Sequence, residues 1–429
     1  MLYIKTSFSN RIEIFIFLIL GSVTLFSAQD SLSPSHLSSD YWIYSGSKEA
    51  QLLPCDKKTV KSAVNTPNSP DSNPFWEMGP PFYQWQKLMG TLSKSYPHHR
   101  NGGRMAHFFG GLHDALQLSY SHLPDSLTDP IRILPKSQHI QYQFALIVSA
   151  ETASRILKFY FPDGQKEIQE LYQSHLTYIH KLAIDNCLVS LGEKIGQEVA
   201  SEVIQRAKSD RTRSSEQVKF TNKGGGNWYG TPSTKDYAKR QWRPFVLDHP
   251  SQLRCGPPPT SWEKDMKELR QFNLNHTHSD IAWKWKSIPV WGQWLDKLVF
   301  EYQIDLAPLK AASIYATFHI ARYEATLSAW EAKYHYMGIR PFQYDTTFQP
   351  LLIQTPNFPG YPAGHTTVAG ALAEVISYFF PGRKQQAVEL AKECSESRFE
   401  GGVHFRTDNE VGLQQGKRVG QAIISHIEE

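Results

Sequence analysis

Lys333, Arg340, His365, Arg398 and His404 fall into three short blocks between residues 330 and 408. The first runs from Trp330 through Lys333 to Arg340-Pro341. The second is Phe358-Pro-Gly-Tyr-Pro362-Ala363-Gly364-His365, and the third runs from Ser397-Arg398 to His404 and Asp408. Taken singly, each is ordinary: a solvated lysine, a helix end, a turn, a structural histidine. Taken together, Lys333, Arg340, Arg398, His365 and His404 in apolar helical surroundings suit one task, the holding of a tetrahedral oxyanion. Cations neutralise the charge, and guanidinium forks match oxyanion geometry bidentately. Gly364 has no side chain, so a ligand oxygen can approach its backbone N–H. His365 is placed to act as acid or base, and His404 as nucleophile or metal ligand.

These groups need elements to position them. After Gly364, the spacing of Val368, Ala371, Leu372, Val375, Ile376 and Phe379, then Pro381-Gly382, predicts a helix. Its first turn carries free N–H groups and the positive dipole end. Further helices are predicted over 104–122, 139–161, 166–186 and 188–208. In the last of these, Leu188, Leu191, Ile195, Val199 and Val203 recur every three or four residues. Residues 209–262 show no sustained period and include Gly224-Gly-Gly-Asn-Trp-Tyr-Gly and Cys255-Gly-Pro-Pro-Pro. The triple glycine is not a P-loop, because no strand precedes it and no Lys-Ser/Thr follows. The expected fold is all-α, two helical bundles joined by a long irregular crossover: residues 80–208, 209–262 and 263–429. The oxyanion site belongs to the C-terminal bundle.

The order Lys-x6-Arg-Pro, Pro-x-Gly-His, Ser-Arg-x5-His-x3-Asp resembles the signature shared by vanadium-dependent haloperoxidases and type 2 phosphatidic acid phosphatases. Length, Trp330 three residues before Lys333, and Phe358-Pro-x-Tyr resemble the haloperoxidase branch. The resemblance implies that Lys333, Arg340 and Arg398, with the Gly364 N–H, bind the equatorial oxygens of vanadate. It implies His404 as axial metal ligand, His365 as acid–base residue and Asp408 as the group orienting the ligand. Trp330 and Phe358 occupy positions similar to the halide-side wall of chloroperoxidase-type members. Where the family usually has serine in the Pro-Ser-Gly-His block, this chain has Ala363, which removes one hydrogen bond to the anion at a cost of roughly 1.5–3 kcal/mol. The implied activity is oxidation of halide by hydrogen peroxide to hypohalous acid. The alternatives are a soluble acid phosphatase acting on a phosphate ester through His404, or an attenuated family member.

Composition narrows the remaining classes. Of 429 residues, Lys+Arg number 45 and Asp+Glu 41, a net +4, too weak a bias for a nucleic-acid binder. Lys5 and Arg11 precede an apolar run from Ile14 to Phe26, then Ser27 and Ala28. This predicts a signal peptide over 1–28 and a secreted or periplasmic protein. Ser- and Pro-rich residues 29–79 read as an extended lead-in. No later run reaches membrane length, so no stable membrane insertion of the mature chain is expected. Cys55, Cys187, Cys255 and Cys394 form no Cys-x-x-Cys pair, which excludes zinc-ribbon and thioredoxin-type readings. Their pairing is not readable from spacing. Asn275-His276-Thr-His278-Ser-Asp280 lacks a third spaced ligand and reads as a loop, and His98-His99 is a weaker candidate still.

Overall fold

Apolar residues at spacings of three and four build twelve helices of eight or more residues among the described residues. They are α1 (Tyr83–Ser95), α2 (Arg104–Ser121), α3 (His139–Tyr160), α4 (Gln165–Lys181), α5 (Asn186–Asp210), α6 (Glu263–Asn275), α7 (Asp280–Ser287), α8 (Val290–Glu301), α9 (Pro308–Tyr336), α10 (Gly364–Phe379), α11 (Lys384–Glu400) and α12 (Arg406–Glu428). The computed structural model describes residues 41–46, 82–97, 103–122, 139–181, 186–210, 219–221, 226–287, 289–351 and 355–429. The expected signal peptide, most of the lead-in, Cys55 and His98-His99 lie outside the described residues. The fold is all-α. Its only β-type pairings among the described residues are two isolated bridges, Phe220 with Gly230 and Asn227 with Gly338. No helix among the described residues is long and apolar enough to cross a membrane.

The predicted stripe on α5, Leu188 to Val203, is wholly buried, as an amphipathic face packed on a core should be. Helices α2, α3 and α5 pack on one another, and α10, α11 and α12 form a second group. The 29-residue α9 lies against both α2 and α10. Pro308 opens α9, where its missing N–H costs nothing. Met337 closes it in the left-handed conformation at φ 54°. This turn redirects the chain from Lys333 toward Arg340.

Helices α10 and α12 approach backbone to backbone because Gly412, Gly416 and Gly420 line one face of α12. A Cβ at Gly420 would sit 2.7 Å from the Ala371 carbonyl oxygen, and one at Gly416 would collide with that of Thr367. The crossover contains two short turns, Thr234–Ala238 and Lys239–Gln241, the second packed on α9. Backbone bonds from Trp228 N–H to Met337 O (2.6 Å) and from Ile339 N–H to Gly226 O (3.1 Å) tie it to the link before Arg340. Cys187 is disulfide-bonded, whereas Cys255 and Cys394 are buried free thiols.

Candidate active site

Helix α9 delivers Lys333 on its last turn, fully buried. Its Nζ donates to the carbonyl oxygens of Pro359 (2.8 Å), Gly360 (2.6 Å) and Pro362 (2.6 Å). Burial first, then Arg340, pulls its pKa well below the usual lysine value, while Asp408 opposes the shift. Three acceptors require three protons, so the geometry is that of the ammonium. Lys333 therefore braces the second block and brings its charge to the site.

Arg340 is also fully buried, in extended backbone just ahead of Pro341. Its Nε donates to Phe358 O (3.0 Å) and its Nη1 to Val403 O (2.6 Å). Nη1 also lies 3.0 Å from His404 Nε2, while Nη2 is buried without a partner. Burial lowers its pKa to about 10, which leaves it charged at neutral pH.

A guanidinium can only donate, so His404 Nε2 accepts and carries the lone pair. Its Nδ1 then bears the proton and donates to Asp408 Oδ2 at 3.0 Å. Burial, followed by Arg340 and Lys333, holds the His404 pKa well below normal. Asp408 is fully buried, accepts a second bond from the Phe405 N–H (3.2 Å) and keeps Oδ1 unpartnered. Burial pushes its pKa up to about 7, against the pull of Lys333 and Arg340. The carboxylate fixes the tautomer that presents Nε2 as a base.

Arg398, on the last turn of α11, is buried, with Nε on Ser397 Oγ (3.1 Å) and Nη2 on Ala282 O (3.3 Å). The Ala363 N–H donates to Asp408 O (2.9 Å) and joins the second block to the third. Ala363 is the N-cap of α10 and offers no side-chain cap. The Thr366 and Thr367 hydroxyls donate to its carbonyl at 2.8 and 2.9 Å. Thr367 N–H closes the first turn onto Ala363 O (3.0 Å). The N–H groups of Gly364, His365 and Thr366 have no acceptor among the described residues, the usual condition of a first helical turn. A Cβ at Gly364 would lie 2.8 Å from Trp330 Cζ3, so only glycine admits the indole here. The Trp330 and Phe358 rings lie 5.2 Å apart, and Arg340 sits 5.1 Å from the Phe358 centroid.

His365 is reached by solvent yet lies deep among protein atoms, as a cleft residue does. Burial, then Arg398, Lys333, Arg322 and Arg340, pulls its pKa down to about 3. All ten residues singled out from the sequence thus gather at one place. Two others join them. Lys239 of the crossover lies 4.3 Å above the Trp330 ring while paired to Asp236 at 2.7 Å. Arg322 of α9 is near enough to bias His365. Nothing local in the sequence marks Lys239, whereas Arg322 shares the helical face of Trp330 and Lys333, a readable register. His276 and His278 are exposed, and no group of three or more His, Cys, Asp or Glu that could hold a metal ion occurs among the described residues.

Two helical groups share the long helix α9, and the buried cations, the two histidines and the open N–H groups gather at the start of α10. Residues 311–427, the site-bearing part of the chain, match the PAP2 superfamily. A non-specific acid phosphatase of Salmonella typhi is 36% identical over 97 residues, covering 22% of this chain and 38% of that protein. The fold is that of a bacterial vanadium-dependent iodoperoxidase, with TM-score 0.58, 21% identity, 79% of this chain and 95% of the other. It is likewise that of a holo-type bacterial vanadium-dependent chloroperoxidase, with TM-score 0.57, 14% identity, 91% of this chain and 98% of the other.

Proposed function

We propose that the chain is a vanadate-dependent haloperoxidase-like enzyme that oxidises halide with hydrogen peroxide to hypohalous acid. One observation carries the reading. The buried, unpartnered Arg340 Nη2 and the open N–H groups of Gly364, His365 and Thr366 are gathered with the lone pair of His404 Nε2. Such a donor set suits a tetrahedral oxyanion with one further valence directed at an imidazole. Arg340, Arg398 and the Gly364 N–H would hold vanadate oxygens, Lys333 would add its charge, and His404 Nε2, its lone pair released from the Arg340 Nη1–H bond, would be the metal ligand. Vanadate bound there supplies a Lewis acid that activates hydrogen peroxide without a change in oxidation state.

The chain's own part is positional and acid–base. Asp408 keeps the proton on His404 Nδ1, and Arg340 neutralises the anion beside it. His365, unprotonated in the free protein, takes a proton on a ring nitrogen once an anion offsets the surrounding cations. Trp330 and Phe358 form an aromatic wall suited to a weakly hydrated halide. A secreted or periplasmic location is supported by the charged and apolar N-terminus and by the disulfide at Cys187.

The phosphatase likeness and the His404–Asp408 pair favour a second reading. His404 Nε2 would attack a phosphate ester, the P–N bond forming as the P–O bond to the leaving group breaks. His365 would protonate the departing oxygen, and water would then hydrolyse the phosphohistidine. His404→Ala is expected to reduce both vanadate-supported bromination and ester hydrolysis to background. Retention of either activity would show that the site lies elsewhere.

A further inference from the structure

Helix α9 is buried along its centre except for one stripe. Between Ala311 and Trp330, only Arg322, Thr326 and Trp330 escape burial. Their spacing of four places them on one face, which continues to Lys333. On α10, which packs against α9, the accessible residues of the first two turns are His365 and Val368. The two stripes border an accessible track from Arg322 to His365, close enough for the guanidinium to bias the imidazole. Arg322 stands at its outer end. Solvent reaches its side chain, yet surrounding protein depresses its pKa, the combination that a cleft wall produces. Its guanidinium has no ion pair or hydrogen bond among the described residues. Three residues earlier on the same face, His319 is buried and stacked on Phe109 with centroids 4.6 Å apart. Its Nδ1 is unpartnered.

An accessible guanidinium with no partner among the described residues, one helical turn from a buried ring nitrogen that also lacks one, is suited to an anion. We propose that Arg322, one helical turn from the unpartnered His319 Nδ1, binds a second anionic group of the substrate, a carboxylate or phosphate, while the reacting end occupies the inner cradle. The inference rests on the phosphate-ester reading of that cradle. The two stations are separated by at most eleven helical residues, about 16 Å along α9, a span that an extended bifunctional molecule covers. Arg322 is then a specificity residue and takes no part in the chemistry.

Equilibrium binding of decylphosphonate and decane-1,10-bisphosphonate, measured calorimetrically, tests this without turnover. Wild-type protein is expected to bind the bisphosphonate about tenfold more tightly, the worth of one charge-assisted hydrogen bond. Arg322→Gln is expected to abolish the difference between the two ligands, and Arg322→Lys to restore part of it. A preference that survives Arg322→Gln, or no preference in the wild type, overturns the Arg322 assignment alone. Failure of both phosphonates to bind overturns the cradle reading and this inference with it.

Discussion

Lys333 separates two roles that its position alone does not distinguish. If it only contributed charge to an anion, removing it would leave the empty protein's stability unchanged. It instead holds three carbonyl oxygens, of Pro359, Gly360 and Pro362. Each loses its partner in Lys333→Ala, and buried unpaired acceptors cost about 1–3 kcal/mol apiece. A loss of roughly 3 kcal/mol or more is therefore expected in urea denaturation without ligand. His365 supplies the pH signature. Its folded pKa of about 3 lies below the value near 6.5 of an unfolded histidine. Between these values the unfolded chain binds a proton that the folded one does not. Stability from this group is thus complete above about 6.5 and is lost as pH falls toward 3. A bound oxyanion raises the His365 pKa, by about 1–3 units for an opposite charge at contact. Imidazole proton shifts followed with and without saturating phosphate should show that rise, and an unchanged titration would place the anion elsewhere. Ala363→Ser returns the hydroxyl usual in the family, and vanadate affinity should rise about tenfold or more. Equal affinity would mean that the serine position does not touch the anion.

At the scale of elements, the start of α10 is placed by α12. Gly412, Gly416 and Gly420 let the two backbones meet, and Thr366 and Thr367, on the facing turn of α10, also cap Ala363. A methyl at Gly416 must push the helices apart and shift the open N–H groups with them. Gly416→Ala should cost about 1–3 kcal/mol, the usual penalty for overpacking, and weaken phosphate binding in parallel. Lost stability with unchanged binding would show that the cradle is held independently of α12. Much of this was legible from the sequence, because its signals are local: the stripe from Leu188 to Val203, the Gly364 start and the Pro381-Gly382 stop all use short-range spacing. The three blocks were legible for the same reason. The carbonyl brace of Lys333 was not, since its partners lie 26 to 29 residues away and belong to backbone, which carries no residue signature.

Over the whole molecule, the crossover has a function that its irregular sequence conceals. Tyr336 and Tyr361 donate to Cys255 O and Gly256 O, each at 2.6 Å. Glu324, fully buried, accepts from the N–H groups of Phe245 and Val246. These long-range bonds hold Lys239 against Trp330, a contact spanning 91 residues that no periodicity encodes. The net charge of +4 is too small a bias to mark a polyanion binder, and it averages away the convergence of Lys333, Arg340 and Arg398 on one small site. The central claim is that a single cradle serves vanadate and phosphate alike. Its most direct test is to titrate vanadate into the purified protein while following peroxide-dependent bromination and phosphate-ester hydrolysis in the same samples. The account predicts that bromination rises and saturates with vanadate occupancy while any hydrolysis falls along the same curve. Absence of bromination at full vanadate occupancy would contradict the haloperoxidase reading, and hydrolysis indifferent to bound vanadate would contradict the shared cradle.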